Sequence, residues 1–455
     1  MGTEPGMKWR RRMFSDSASG LGIGNELAYP PRHRTTCRVH HVIRLKPKHE
    51  SHLQLLKSLK NKHGEQMEFW RKPTIPLQDV DVRLSPEVIP GILPLLNESG
   101  LLYDVMTDDL ESLVSAERPK RSVADVVDVT ESPDNFSLSS YHTYDEISDW
   151  MDGLIDKCKP DCDVFSIGDT YEGRPMKIIR IGKESVRRPV IWIDAGIHAR
   201  EWIAPATAIY IISKLIDPDK SDRIARVLAS RYTWYILPVA NPDGYDYTWT
   251  MDRLWRKTRS HHKYSPCRGV DGNRNWDFHW GGEGTSDLPC NEDYRGDEPF
   301  SEPETRNIAR LVFDEFLLTL QGRLAVYLSL HSYGQYWLTP WGYTYNVPPD
   351  YPDLVHLGTK ATEAMRRTHG SRYQVGSSAR ILYLAAGGSD DWAKGVLGVK
   401  YSYTVELCDT GRHGFILPPH YITTTGDEML EATRSLSLSV LRERRRAARK
   451  RRRYT

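Results

Sequence analysis

The run Val190-Ile191-Trp192-Ile193-Asp194 constrains this chain most, because a histidine and a glutamate come directly after it. It is apolar and rich in β-branched residues, and it reads as a buried strand. Next comes Gly196-Ile197-His198-Ala199-Arg200-Glu201-Trp202. Pro205 and the apolar run Ala206 to Leu215 then read as a helix, with proline tolerated in the first turn. His198 and Glu201 are three apart, so in a turn or at a helix start they share one face. An imidazole nitrogen and a carboxylate oxygen on one face suit a divalent zinc. The pair falls at the carboxyl end of a strand, where open α/β sheets bind their ligands.

Taken in order, residues 1–36 are irregular and carry no fold signal. Residues 37–117 alternate as β-α-β-β-α-β, a small ferredoxin-like α+β pattern. Its strands are Arg38 to Leu45, Glu68 to Arg71, Val80 to Leu84 and Leu102 to Met106. Leu53, Leu56 and Leu59 form one helical stripe, and Val88, Ile89, Ile92, Leu95 and Leu96 the other, ended by Gly100. Residues 118–140 are a polar linker that opens on Arg118-Pro119-Lys120-Arg121-Ser122, a basic run of the kind processing proteases cut. Thr143 and Glu146 then make a capping box ahead of the stripe Ile147, Trp150, Met151, Leu154 and Ile155. From 141 to 441 strands and helices alternate. Thr233 to Val239, Leu324 to Leu330 and Lys400 to Val405 read as strands, and a last helix is predicted from Asp427 to Arg442. The alternation predicts an α/β domain on a parallel or mixed sheet. Residues 442–455 are a basic tail.

A chain of 455 residues has room for one large domain and a small one. Lys and Arg number 62 against 60 Asp and Glu, so no whole-chain basic field argues for nucleic acid, and none is expected as a partner. No apolar run is long enough for a transmembrane helix. The 6 cysteines are too few for a disulfide scaffold. Cys267 and Cys290 flank a Gly- and Asp-rich loop whose bridging would restrain the unfolded chain, and Cys158 and Cys162 bracket a Lys-Pro-Asp turn. Asn97-Glu98-Ser99 and Asn135-Phe136-Ser137 are glycosylation sequons. No apolar stretch comes after Arg10-Arg11-Arg12, so no signal peptide is visible, and the natural start is expected to differ.

Several further runs belong with His198 and Glu201. They are Leu330-His331-Ser332-Tyr333, Thr404-Val405-Glu406-Leu407, Leu254-Trp255-Arg256-Lys257-Thr258-Arg259, Asp271-Gly272-Asn273-Arg274-Asn275-Trp276 and Gly387-Gly388-Ser389-Asp390-Asp391-Trp392. With them the chain resembles the zinc metallocarboxypeptidases of the pancreatic A/B type, propeptide included, over residues 38–440. The resemblance implies a mixed eight-stranded sheet flanked by helices, preceded by an inhibitory α+β propeptide domain. It implies one zinc, held by His198, Glu201 and His331, a set known from carboxypeptidase A, with a fourth position open. Asp271 would orient His198.

By the same resemblance Glu406 is the catalytic general base and acid. Arg256 would stabilise charge on the scissile carbonyl oxygen. Asn273, Arg274 and Tyr383 would hold the substrate's terminal carboxylate, which makes an exopeptidase acting on free C-termini. Arg200, Tyr333 and Phe415 would line further subsites. Aspartate at 390 goes with C-terminal Lys or Arg, since a carboxylate in a closed pocket wants a cation.

Three positions depart from the family. Ser378 stands where glycine is usual, Arg380 would neutralise the pocket if it reached Asp390, and Cys408 replaces an arginine. Cys267 and Cys290 match the family's loop disulfide, which implies an oxidising compartment and secretion. The chain is then expected to be a zymogen released at Arg118–Arg121 by an activating protease. The tail lies outside the family pattern and would dock to an acidic surface or glycosaminoglycan. Two other readings keep part of this picture: the same chemistry on apolar C-terminal residues, and a non-catalytic zinc- or matrix-binding protein.

Overall fold

The computed structural model describes residues 40–118, 136–183, 188–217, 222–313 and 323–451. The N-terminal segment 1–36, most of the linker with Pro119 to Arg121, the sequon residue Asn135 and residues 452–455 lie outside these. The chain divides into a first unit, Met1–Glu111, and a second, Ser112–Thr455.

In the first unit β1 (His41–Leu45), α1 (Glu50–His63), β2 (Met67–Phe69), β3 (Val80–Leu84), α2 (Ile89–Glu98) and β4 (Tyr103–Thr107) follow in the predicted order. The four strands form an antiparallel sheet in the order β2-β3-β1-β4. Ile43, Leu45, Val80 and Val82 meet Leu56, Leu59, Ile92 and Leu96 in one core. Both predicted stripes therefore face the sheet, except that Leu95 of the second is exposed. Gly100 ends α2 with φ +70°, a conformation glycine takes without strain. Helix α3 (Leu110–Glu117) runs across the division between the units.

The second unit opens on α4 (Tyr144–Cys158). Its capping box forms as predicted: Thr143 Oγ1 accepts from Glu146 N, and Glu146 Oε2 accepts from Thr143 N at 2.8 Å. There follow β5 (Cys162–Asp169), β6 (Pro175–Ile181), β7 (Val190–Ala195), α5 (Ile203–Ile216), α6 (Arg223–Arg231), β8 (Thr233–Leu237), α7 (Pro242–Thr250) and α8 (Pro303–Phe313). Next come β9 (Leu324–His331), β10 (Tyr336–Thr339), α9 (Tyr351–His369), β11 (Gln374–Ser377), α10 (Ser378–Ile381), α11 (Ser389–Gly395), β12 (Tyr401–Glu406) and α12 (Tyr421–Arg451).

The eight-stranded sheet has the order β11-β10-β12-β9-β7-β8-β6-β5. Its centre, β12-β9-β7-β8, is parallel, while β6 and β5 are antiparallel additions at one side. Every residue of β7, β8 and β9 is buried, which is why these strands read as unbroken apolar runs rather than alternating ones. β8 lies on one side of β7 and β9 on the other, so a crevice opens between the carboxyl ends of β7 and β9.

Helices α5, α6 and α9 pack against α12. α12 starts before the predicted Asp427 and runs past the predicted end at Arg442 to Arg451. The first part of the tail is thus a helical continuation rather than a separate extension. No helix among the described residues is long and apolar enough to cross a membrane.

Candidate active site

Parallel register assembles the site. Glu406 at the end of β12 pairs with His331 at the end of β9, and Asp194 on β7 pairs with Ser329 on β9. Past Ala195 the chain turns at Gly196, where φ is +68° and a Cβ would stand 2.9 Å from the Pro205 ring. Glycine lets the turn pass that ring and delivers His198 above the strand ends.

His198, Glu201 and His331 are buried, and one donor atom from each lies within 4.8 Å of the others. Nδ1 of His198 is 2.8 Å from Glu201 Oε1, and Nδ1 of His331 is 3.1 Å from Glu201 Oε2. The far nitrogens are held from behind. Nε2 of His198 meets Asp271 Oδ1 at 3.0 Å, and Nε2 of His331 meets Ser329 Oγ at 3.2 Å. Ser329 in turn donates to Asp194 Oδ1 at 2.6 Å, and Trp192 Nε1 donates to the other oxygen of Asp194 at 2.7 Å. Two Nδ1 atoms and one carboxylate converge, each imidazole backed on its Nε2, and this donor set fits a zinc with protein ligands on one side.

Burial and the nearby Arg256 push the His198 pKa down, so its imidazole is neutral, as a ligand must be. Burial would raise Asp271, but Arg256 and His198 outweigh it and hold its carboxyl well below the usual range. Nη2 of Arg256 donates to Asp271 Oδ2 at 2.9 Å, and its Nη1 stands 3.8 Å from Glu201 Oε1. One carboxylate therefore orients both His198 and Arg256. The half-buried Tyr383 stands near Arg256.

Asp271 also accepts from the backbone N–H of Asn273 at 2.9 Å. The Asn273 side-chain oxygen accepts from Ser389 N at 3.0 Å, which ties it to the start of α11. Arg274 is buried, with Nε on the Gly284 carbonyl at 3.0 Å. Gly387 has φ +73°, and a Cβ there would fall 2.5 Å from the Arg274 carbonyl oxygen. The loop before α11 is thus pressed against the Asn273–Arg274 turn.

Two aspartates start α11 and both are buried. Asp391 takes backbone N–H bonds from Gly342 and Tyr343. Asp390 has a buried Oδ2 with no hydrogen-bond partner, and burial raises its pKa. Arg380 does not reach it. That side chain is exposed and donates from Nε to the Tyr345 carbonyl at 2.8 Å. Ser378 begins α10, and a Cβ on Gly342 would sit 3.6 Å from both Ser378 Oγ and Asp391 Oδ2, so its hydroxyl faces that corner.

Phe415 lies under the Arg200 guanidinium at 4.3 Å and meets Tyr333 edge-on at 5.0 Å. Arg200 also reaches the Leu254 carbonyl. Behind them Arg253 donates to the backbone carbonyls of Arg200 and Phe415 and stacks on Trp202 at 3.7 Å. Its remaining donors form a two-pronged pair with Glu117, at 2.7 and 2.9 Å, both side chains buried. Cys267–Cys290 and Cys158–Cys162 are disulfides, and Cys408 is a buried free thiol.

Sequence reasoning passed over Asp194, Ser329, Arg253 and Glu117. Asp194 carried a signal: it is an acid closing an otherwise apolar strand. Arg253 carried a weaker one, directly before the run that holds Arg256. Nothing in the sequence marks Ser329 or Glu117.

The model of the zinc carboxypeptidase family matches residues 147–432, and that of the carboxypeptidase activation peptide matches residues 43–117. The chain is 48% identical to carboxypeptidase B of Astacus astacus over 297 residues, covering 65% of this chain and 95% of that protein. It is 37% identical to carboxypeptidase A2 of Rattus norvegicus, covering 85% of this chain and 90% of that one. Among solved structures, thrombin activatable fibrinolysis inhibitor superposes with a TM-score of 0.81 at 32% identity, covering 89% of this chain and 99% of its own. Carboxypeptidase A from Helicoverpa armigera gives 0.76 at 27% identity, covering 88% and 97%.

Proposed function

The chain belongs to the zinc carboxypeptidase family and carries its activation peptide, and on that premise we propose that it removes C-terminal Lys or Arg from extracellular peptides. The observation that carries the specificity is the buried, unpartnered Oδ2 of Asp390, with Arg380 turned away to Tyr345. A buried carboxylate without a partner is costly, and a substrate ammonium or guanidinium removes that cost. The similarity to a carboxypeptidase B supports the same reading.

His198, Glu201 and His331 would hold the zinc. When bound, the zinc supplies Lewis acidity that polarises the scissile carbonyl and lowers the pKa of water. Glu406, beside His331 at the strand ends, takes a proton from the attacking water and delivers it to the leaving amine. Arg256, already aimed by Asp271, donates to the carbonyl oxygen as charge develops there. Asn273, Arg274 and Tyr383 receive the terminal carboxylate, and a guanidinium fork suits it. Arg200, Tyr333 and Phe415 contact residues further up the peptide.

Residues 37–117 act as the inhibitory domain, 118–140 as the linker cut at Arg118–Arg121, and 141–441 as the catalytic domain. Secretion is supported by the two disulfides, which persist in oxidising compartments. The basic tail, 442–455, serves as a docking element for an acidic surface.

Hydrolysis of matched short peptides ending in Lys, Arg, Phe, Leu or Glu, before and after limited trypsin treatment, tests the reading. Release of Lys and Arg only after trypsin, abolished by a chelator, is expected. Release of Phe or Leu instead would discard the Asp390 argument and keep the enzyme. No release from cut, zinc-loaded protein would leave a binding protein.

A further inference from the structure

Among the described residues the last buried apolar one of α12 is Val440. Beyond it Arg442, Arg444, Arg445, Arg446 and Arg449 are exposed on a continuous helix. The one acid among them, Glu443, is already engaged: it binds Lys400 Nζ at 3.3 Å and the Tyr401 hydroxyl. Among the described residues these five arginines make no ion pair. The helix from 442 to 451 is about 15 Å long, and at about 100° per residue Arg442, Arg445, Arg446 and Arg449 fall on one face, with Arg444 on the other. The only uncharged residues in it are Ala447 and Ala448. It has no apolar face, which a helix lying in a membrane surface needs.

Its root is fixed on the fold. Lys400 and Tyr401, the anchors of Glu443, begin β12, whereas Glu406 ends that strand. Five residues of strand separate the two by about 16 Å. The basic helix therefore leaves from the edge of the sheet opposite the metal ligands. α6 extends the same ground: Tyr232 donates to the Ser437 carbonyl at 2.7 Å, joining the end of α6 to α12, and α6 exposes Arg226 and Arg231.

We propose that the helix end from Arg442 to Arg449 is a docking site for a linear sulfated polysaccharide. The site lies away from the catalytic edge, so the enzyme hydrolyses peptides while docked. Guanidinium groups take sulfate oxygens in fork geometry, and a flexible linear polyanion can lie along a helix face that carries four of them. The choice of polysaccharide over nucleic acid deepens the proposed extracellular function and rests on it.

The test uses the full chain and a variant carrying Arg442→Ala, Arg444→Ala, Arg445→Ala, Arg446→Ala and Arg449→Ala. Alanine is the best helix former, so the fold is kept. Both proteins are eluted from immobilised heparin with salt and, after limited trypsin treatment in which mass spectrometry shows residues 442–449 retained, assayed on a short Lys-ending peptide with and without heparin. The expected result is at least about tenfold weaker heparin affinity in the variant, from the lost counterion release, with equal hydrolysis in both and no inhibition by heparin. Desulfated heparin is expected to hold neither. Equal retention of both proteins would overturn the proposal. So would phosphatidylserine vesicles or duplex DNA binding the wild type as tightly as heparin at the same salt, or heparin blocking hydrolysis. Absent hydrolysis in both proteins, with the heparin difference intact, would count against the enzymatic reading alone.

Discussion

Ser329 decides which nitrogen of His331 is bare. Its single hydroxyl hydrogen is committed to Asp194 at 2.6 Å, so at 3.2 Å from Nε2 it accepts the imidazole N–H. Nδ1, turned toward Glu201 and His198, is then the nitrogen left for a metal.

This makes Asp194 and Ser329 positioning residues for the metal. Ser329→Ala and Asp194→Asn are each expected to weaken zinc binding about 10–100-fold, the usual effect of removing a residue that backs a ligand. Competition with a coloured chelator reads it. Unchanged zinc affinity in both variants would remove the relay.

Asp390→Ile is expected to lower kcat/KM for C-terminal Lys and Arg by about a hundredfold or more, because one partner of a buried ion pair is worth about 3–5 kcal/mol. Phe and Leu substrates should gain. The ratio of Lys to Phe turnover in wild type and variant measures it. A wild type that already prefers Phe would show that Asp390 does not face the substrate.

Burial, with help from Glu302, pushes the Glu304 carboxyl up to about 8, and its buried Oε2 has no partner. The native chain keeps this proton up to about that pH, while the unfolded chain releases it in the ordinary glutamate range. Between the two the folded state binds more protons, so this group makes stability fall as pH rises from about 5 to 8. Glu304→Gln should flatten that fall in urea titrations. An identical slope in the variant would assign the pH dependence elsewhere.

Burial also raises the Cys408 thiol to about 11. The thiolate is the reactive form. Native protein at pH 8 is expected to leave Cys408 unlabelled by an alkylating reagent, and urea-unfolded protein to label it, as read by peptide mapping. Fast labelling of the folded protein would mean that the site opens.

The sequence was most legible where chemistry sits at the ends of strands. His331 and Glu406 announce themselves by closing apolar runs, and His198 by coming just after one. The backing residues were hidden because register creates them. Asp194 and Ser329 are 135 positions apart and become neighbours only when β7 and β9 pair in parallel. Arg380 shows the reverse difficulty. Two positions from Ser378 it looks able to neutralise the pocket, yet the short helix α10 carries it outward to Tyr345. The tail read as a basic extension past the last helix because arginine runs lack an apolar stripe. Arginine is nonetheless a good helix former, and the packed part of α12 supplies the nucleus from which the helix propagates.

Glu117 and Arg253 form their buried pair while they belong to one covalent chain. A cut at Arg121 would put them on two molecules. The pair would then lose its effective concentration, and its survival would depend on how dilute the two pieces are. Hydrolysis of the linker and release of the inhibitory piece would therefore be separate events. The second would be governed by dilution, so the active fraction of a freshly cut sample should be larger the more it is diluted.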